Sequence, residues 1–543
     1  MKISVLIDNH LPVDIQDYSL EALNFANIRK VIEEIGPQRL TAFAYGHDGW
    51  AQYPSKLNAF PPGMKVDLVR LWKNLAIDIR AHFAIYVSTL RNDLLLRRSP
   101  DWERVGLNGI PVHRIDHASP YFQNWLRPAL EELQALYEPD GYFFDGDYWT
   151  VGESISSWRE LAARKLFPEL GNDVLSQLTP YQHRYVTVST YDEYLKDIGS
   201  YLGPVAPRSS INLAFTLRHP RSRPPGLALV TGDLPPFFAA LDCWIETAVQ
   251  HGKGGEREVV VPLFVEPEGG GRKYTKSLMQ LVQEVGPILA MDESLHVYFP
   301  MNVTGALQSD YSTLLLDLRK EIDAVSPSLN ASGYEFSPDV YCLSDGDELL
   351  YSQNFSWLRG AALASSLCGL NMCIGPTEIC RESIRDIRLL LVPPNPSLSA
   401  QQLVAEAKDF GVSIVQREFS RANYQLTSEE LLHLEDGYAA GPKTWWSDFS
   451  VERPAGVFIR AFRSVDAGWR LFAFNAVETG SALGRHVMSK GAGKVGRMTV
   501  HLPAYAKVRS IEGYISSIEQ AEHSVSLNLD GAFAVIEGVF MGR

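Results

Sequence analysis

Cysteine is scarce in this chain: five in 543 residues, at Cys243, Cys342, Cys368, Cys373 and Cys380, with no CxxC pair and no His-rich companion. That spacing argues against a disulfide framework or a thiolate metal centre and leaves free, buried thiols in a reducing, cytoplasmic location as the expectation. Long apolar runs are missing too. VVVPLFV at 259–265 stays far below the roughly 18 residues of a membrane span. The apolar run in MKISVLIDNH ends at Asp8, too early for the core of a signal peptide, and no small-residue cleavage site follows it. Positive charge is in deficit, with Lys+Arg 50 against Asp+Glu 64 and a formal net charge of -14. No basic stripe offers itself to phosphates, so a nucleic-acid partner is not expected, nor is a membrane. Glycine is absent from IDNHLPVD after the first apolar run, which argues against an open dinucleotide-binding sheet. No metal or cofactor is expected: HxD spacings and a lone DGD lack the convergent ligands of a zinc or calcium site.

What is present is an ordinary globular composition, 45% hydrophobic and 21% charged, on a length that fits two to four domains. Continuous apolar runs alternate with helical periodicity through the first 300 residues or so. KISVLID (2–8), LTAFAYG (40–46), HFAIYVS (82–88), GYFFDGD (141–147), SINLAFTLRH (210–219), LDCWIET (241–247), VVVPLFV (259–265) and HVYFPMN (296–302) read as strands buried on both faces. Eight such strands with intervening helices predict a (β/α)8 TIM barrel over 1–325. The helix WLRGAALASSLCG, the strand DIRLLLVPP, the Ser-capped SLSAQQLVAEAKDFG and the strand VSIVQRE predict a flavodoxin-like α/β domain over 326–435. Short alternating runs such as GVFIRAF and WRLFAFNA predict a C-terminal β-sandwich over 445–543.

Polar residues collect at the predicted strand ends: Asp8, Asn9 and His10; His47 and Asp48; Asp145 and Asp147; Arg218 and His219; Glu246; Glu266; Asn302. In a parallel barrel the C-terminal strand ends carry the active site. A single strand-end Asp can equally cap the next helix, so the cluster carries more meaning than any member.

Two stretches then become recognisable. DGYFFDGDYW (140–149) resembles the DG-aromatic-FDG segment of α-L-fucosidase-like barrels, and AFAYGHDGWAQYPSK (42–56) is similar to the second-strand segment of their glycoside-hydrolase relatives. The middle block resembles the trimerisation domain of β-galactosidases, which implies a homodimer or homotrimer. Within this group the chain looks most like the family 156 exo-α-sialidases. That resemblance implies an inverting exo-hydrolase releasing terminal sialic acid from glycoconjugates, with a strand-one Asp and a His sharing proton transfer. Carried over, Asp8 is the favoured Asp, with Asp14 as rival, and His117 the favoured His. Arg114, Arg218 and Arg272 are candidates for the substrate carboxylate, and Asn354 for a further contact. His10, His47 and Asp147 are candidate hydroxyl ligands. The fucosidase resemblance implies instead a retaining enzyme with Asp145 as nucleophile and Glu246 or Glu266 as acid/base. A non-catalytic carbohydrate-binding protein is the third reading. Glycoside hydrolysis usually needs two carboxyl groups, whereas a sialoside already carries one at its anomeric carbon, which favours arginines and water attack.

Overall fold

The computed structural model describes residues 3–11, 14–16, 25–145, 153–171, 173–212, 229–233, 240–248, 256–265, 274–300, 309–329, 333–344, 355–419, 428–454, 456–476 and 496–541. Eight parallel strands close into a ring: Ile3–Asp8, Arg39–Tyr45, His82–Ser88, Gly141–Asp145, Ser210–Asn212, Leu229–Asp233, Glu256–Pro262 and Ser294–Pro300. The first strand pairs with the second through Leu6 and Thr41 and with the last through Leu6 and Tyr298, which shuts the ring. Helices lie outside it. Leu68–Asp78 starts at an Asp67 cap that accepts from the Arg70 N–H, and it turns Leu68, Val69, Trp72, Leu75 and Ala76 onto the barrel wall. Full burial of side chains of the Leu or Val class stabilises by about 1.5–3 kcal/mol each. The connection between the fifth and sixth strands lies outside the described residues.

One expected strand is a helix. LDCWIET belongs to Ala240–Glu246, and the sixth barrel strand is the LVTGD run at 229–233. A short apolar run fits a buried helix as well as a buried strand. Here Cys243, Trp244 and Ile245 are all buried, with the Trp244 ring stacked on Phe474 of the C-terminal sheet at 5.2 Å.

The middle unit is a four-stranded parallel sheet, ordered Met372–Gly375, Val340–Leu343, Leu389–Val392, Ser413–Gln416, with helices between the strands. This is the 2-1-3-4 order of flavodoxin-type sheets. The strand just before it, Tyr334–Phe336, pairs instead with Val457–Ser464 of the last domain. The C-terminal strands are joined in one seven-stranded antiparallel sheet. Its long strand Ser524–Phe540 pairs with three others. Side chains of this sheet's strands enter two separate cores, one of them shared with the barrel. Phe472, Phe474 and Phe533 join the barrel core, while Trp446 and Phe449 cover the opposite face. The fit is close: a Cβ on Gly286 of helix Leu278–Ala290 would sit 3.2 Å from the Phe533 ring.

Among the described residues no helix is long and apolar enough to cross a membrane, and no group of three metal-ligating side chains occurs. None of the five cysteines is in a disulfide; four are buried and Cys368 is half-buried.

Candidate active site

Alternation along each barrel strand sends every second side chain inward. Leu6, Phe43, Tyr86, Phe143 and Val260, with Tyr298 packed against them, fill the barrel as one layer. Phe43 and Tyr86 stack at 3.7 Å between ring centres, and Tyr86 and Phe143 at 5.6 Å. The next inward positions toward the C-terminal rim are polar: Asp8, Ser88, Asp145 and Asn212. An apolar floor beneath a polar rim is a built pocket.

Both rim carboxylates are fixed by hydrogen bonds. Asp145 accepts from the Tyr86 hydroxyl on Oδ2 and from Asn212 Nδ2 at 2.6 Å on Oδ1. Asp8 accepts from the Tyr298 hydroxyl on Oδ2 and from the His10 N–H at 3.0 Å on Oδ1. Two histidines link them. His10 Nε2 lies 3.7 Å from Asp8 Oδ1, the His10 and His47 rings stack at 4.4 Å, and His47 Nε2 lies 3.8 Å from Asp145 Oδ2. Burial, with His10 alongside and the positive charges of Arg91 and Arg114, holds the His47 imidazole well below its usual range, so it is neutral near pH 7. Its tautomer follows from its partner. Ser88 Oγ donates to the Arg91 carbonyl at 2.7 Å, so it can only accept from His47 Nδ1, 2.6 Å away. The hydrogen is therefore on Nδ1, and Nε2 presents a lone pair toward the pocket floor beside Asp145. Both are acceptors, and a sugar offers each a hydroxyl hydrogen of its own.

Glycine permits this crowding. A Cβ on Gly46 would lie 2.5 Å from Asp48 Oδ2 and 3.1 Å from His10 Nδ1. Gly49 takes a φ of +92°, and a Cβ there would collide with Asn92. Asp48 itself is not a site residue. It accepts from the Leu11 and Trp50 N–H groups at 3.1 and 2.7 Å and ties the first rim loop to the second. Tyr53 is also structural: Tyr53 and Ser55 both donate to Glu132 at 2.7 Å, outside the barrel.

The structure thus brings Asp8, His10, His47 and Asp145 together and scatters other candidates. His117 is not placed with Asp8. It is buried beside the ion pair of Asp116 and Arg159 (2.7 Å), with its Nε2 near Thr190 Oγ1 at 3.0 Å and its Nδ1 facing Arg159 Nη2 at 3.2 Å. Burial and the Arg159 charge hold its imidazole well below the usual range, so it stays neutral. HRIDH reads as a catalytic segment only because a buried ionic core uses the same residue types.

Glu246 closes a helix rather than a strand and pairs at 2.9 Å with Arg257, the second residue of the seventh strand, far from the C-terminal rim. Asp14 is exposed in a turn. Arg114 stands on the Pro111–Ile115 strand of a rim hairpin, near enough for its charge to bear on His47. Asp147, Arg218, Asn354, Glu266, Arg272, His219 and Asn302 lie outside the described residues. Tyr86, Tyr298, Ser88 and Asn212 were not singled out from sequence, although each shares its strand's inward parity with a rim residue or a layer residue.

A family model for alpha-L-fucosidase matches residues 15–193, which is 179 of 543 and includes His47, Tyr86 and Asp145. No curated protein matches the chain. Among solved structures, alpha-L-fucosidase isoenzyme 2 from Paenibacillus thiaminolyticus superposes with a TM-score of 0.77 at 13% identity, covering 100% of each chain. Gan42B, a GH42 beta-galactosidase from G. stearothermophilus, gives 0.58 at 9% identity, covering 97% of this chain and 98% of that one. At these identities the structures show a shared fold. With the family match they support a glycoside hydrolase, and they lend no support to a sialidase.

Proposed function

We propose that this chain is a retaining exo-α-L-fucosidase acting on terminal sugars of glycoconjugates, with Asp145 as the nucleophile. The observation that carries the reading is the seat of Asp145. It ends the fourth barrel strand inside the family-matched stretch, it is held by Tyr86 and Asn212, and His47 stands at its side. Two donors keep the carboxylate aimed, as a covalent nucleophile requires. His47 and His10 face the same pocket and serve as hydroxyl ligands, with Asp8 orienting His10.

The mechanism needs a second carboxyl as acid and then base. Glu246 is committed to Arg257, so the proposal assigns that role to Glu266, which follows the seventh strand in sequence. Attack by Asp145 on the anomeric carbon breaks the glycosidic bond while Glu266 protonates the leaving oxygen. Water, deprotonated by Glu266, then releases the sugar with its original anomeric configuration.

The test is turnover of 4-nitrophenyl α-L-fucopyranoside. Asp145→Ala should lose on the order of 10⁴–10⁶-fold in kcat, and azide should rescue it by forming the β-fucosyl azide. No fucose release by the parent enzyme, or an Asp145→Ala variant of near-full activity, would end the reading.

A further inference from the structure

The arginines with inward or buried side chains mostly have carboxylate partners: Arg159 has Asp116, Arg39 has Glu258, and Arg257 has Glu246 and Glu293. Arg91 is different. It follows the third barrel strand, and its position is set by two bonds. Its carbonyl accepts from Ser88 Oγ, the same hydroxyl that holds His47, and the neighbouring Leu90 carbonyl accepts from the Ile115 N–H at 2.8 Å. The segment is thereby pinned between His47 and the hairpin that carries Arg114. The Arg91 Nε is buried and has no hydrogen-bond partner, and no carboxylate pairs with its guanidinium among the described residues. The positive charges of Arg91 and Arg114 both bear on His47. The two rim carboxylates are already engaged by Tyr86, Asn212, Tyr298 and His10, so the rim holds a half-buried cation that no carboxylate of the described residues matches. A planar guanidinium suits a carboxylate or sulfate bidentately.

We propose that Arg91 is a receptor for an anionic substituent on the substrate, a sulfate or a carboxylate, so that the preferred substrate is an anionic glycoside. The proposal rests on the reading of this rim as an α-L-fucosidase site and names its substrate class. Ring sulfation of the fucose and a carboxylate on the leaving group are the two sources of such a charge.

The experiment compares kcat/KM for three substrates: 4-nitrophenyl α-L-fucopyranoside, its ring-sulfated form, and an aryl fucoside with a carboxylate on the leaving group. The parent enzyme should favour one charged substrate over the neutral one by roughly 10–100-fold, the scale of a charge-assisted pair. Arg91→Gln should abolish that ratio and Arg91→Lys should keep part of it. Which charged substrate is favoured identifies the source. A ratio near one in the parent enzyme, or an unchanged ratio in Arg91→Gln, overturns the proposal and leaves the fucosidase reading standing. If no fucoside is turned over, that reading falls, and the proposal is then judged by calorimetric titration with sulfated L-fucose. Binding that Arg91→Gln weakens about tenfold or more supports it, and equal binding by both proteins overturns it.

Discussion

Tyr86 and Asp145 sit on adjacent barrel strands, and the phenol of one donates to the carboxylate of the other. The register explains the meeting. Ser88 is paired directly with Asp145, so Tyr86, two residues back on the same inward face, lies one layer below it. Burial and the Asp145 charge push the Tyr86 hydroxyl well above its usual range, so it remains a donor at any working pH. Hydrogen bonds to charged groups contribute about 1.5–3 kcal/mol. Tyr86→Phe should therefore lower kcat by roughly 10–100-fold. A kcat in the Tyr86→Phe enzyme equal to the parent's would remove Tyr86 from the machinery.

Gly46 offers a steric test of the histidine pair. A methyl group at this position meets Asp48 Oδ2 at 2.5 Å and His10 Nδ1 at 3.1 Å, so Gly46→Ala must shift the Asp48 carboxylate and push against the His10 ring where it stacks on His47. KM should rise about tenfold or more, the effect of losing one good hydroxyl contact. The fold should persist by circular dichroism. Saturation curves unchanged from the parent would count against His10 as a sugar ligand.

The ionic core around His117 makes the opposite prediction. Asp116 and Arg159 are fully buried, and Asp116 accepts additionally from Ser156 Oγ at 2.6 Å. Arg159→Met leaves a buried carboxylate without its partner and should cost about 3–5 kcal/mol of stability. His117→Ala should lower the melting temperature while the activity per folded molecule stays within a few-fold. A collapse of kcat in a well-folded His117→Ala protein would restore it as a catalytic candidate.

Glu293 supplies a pH dependence. It lies where the barrel meets the C-terminal sheet, 2.9 Å from Arg257, and burial pushes its carboxyl up to about 7 despite that partner, with the Glu246 charge adding to the rise. A folded-state value above the unfolded one means that its contribution is complete below about pH 4.3 and is lost as pH rises toward 7. Over that window stability should fall by about 1.4 kcal/mol per pH unit from this group. Glu293→Gln should flatten the dependence in urea unfolding between pH 5 and 8. Equal slopes in parent and variant would exclude Glu293 as its source.

The rim was legible where two signals coincided, an apolar run and a polar residue closing it. Asp8 after KISVLI and Asp145 after GYFF are of this kind, and both stand on the rim. Glu246 fits the same pattern but closes a helix, because CWIE is buried at each successive position and periodicity cannot separate such a helix from a strand over seven residues. Tyr86 and Tyr298 were missed because an aromatic inside an apolar run reads as core. They are core and rim at once, with the ring packed in the layer and the hydroxyl bonded above it. His117 misled for a different reason: an HxxxH segment does not reveal that Arg159, forty-two residues later, encloses it.

The pairing of Tyr334–Phe336 with Val457–Ser464 changes what the order of the three parts means. The first edge of the last sheet is synthesised before the middle unit and meets its partner only after that unit ends. Entry and exit of the middle unit are clasped, since Tyr438 donates to Asp339 and Arg388 reaches back to the Tyr438 carbonyl. The architecture is accordingly nested rather than tandem, with the flavodoxin-type sheet interposed within a sheet that began without it. Two ends held this close are the condition under which an inserted domain can be exchanged for a short linker. The barrel and its antiparallel partner would then remain a continuous hydrophobic body through Trp244, Phe472 and Phe474.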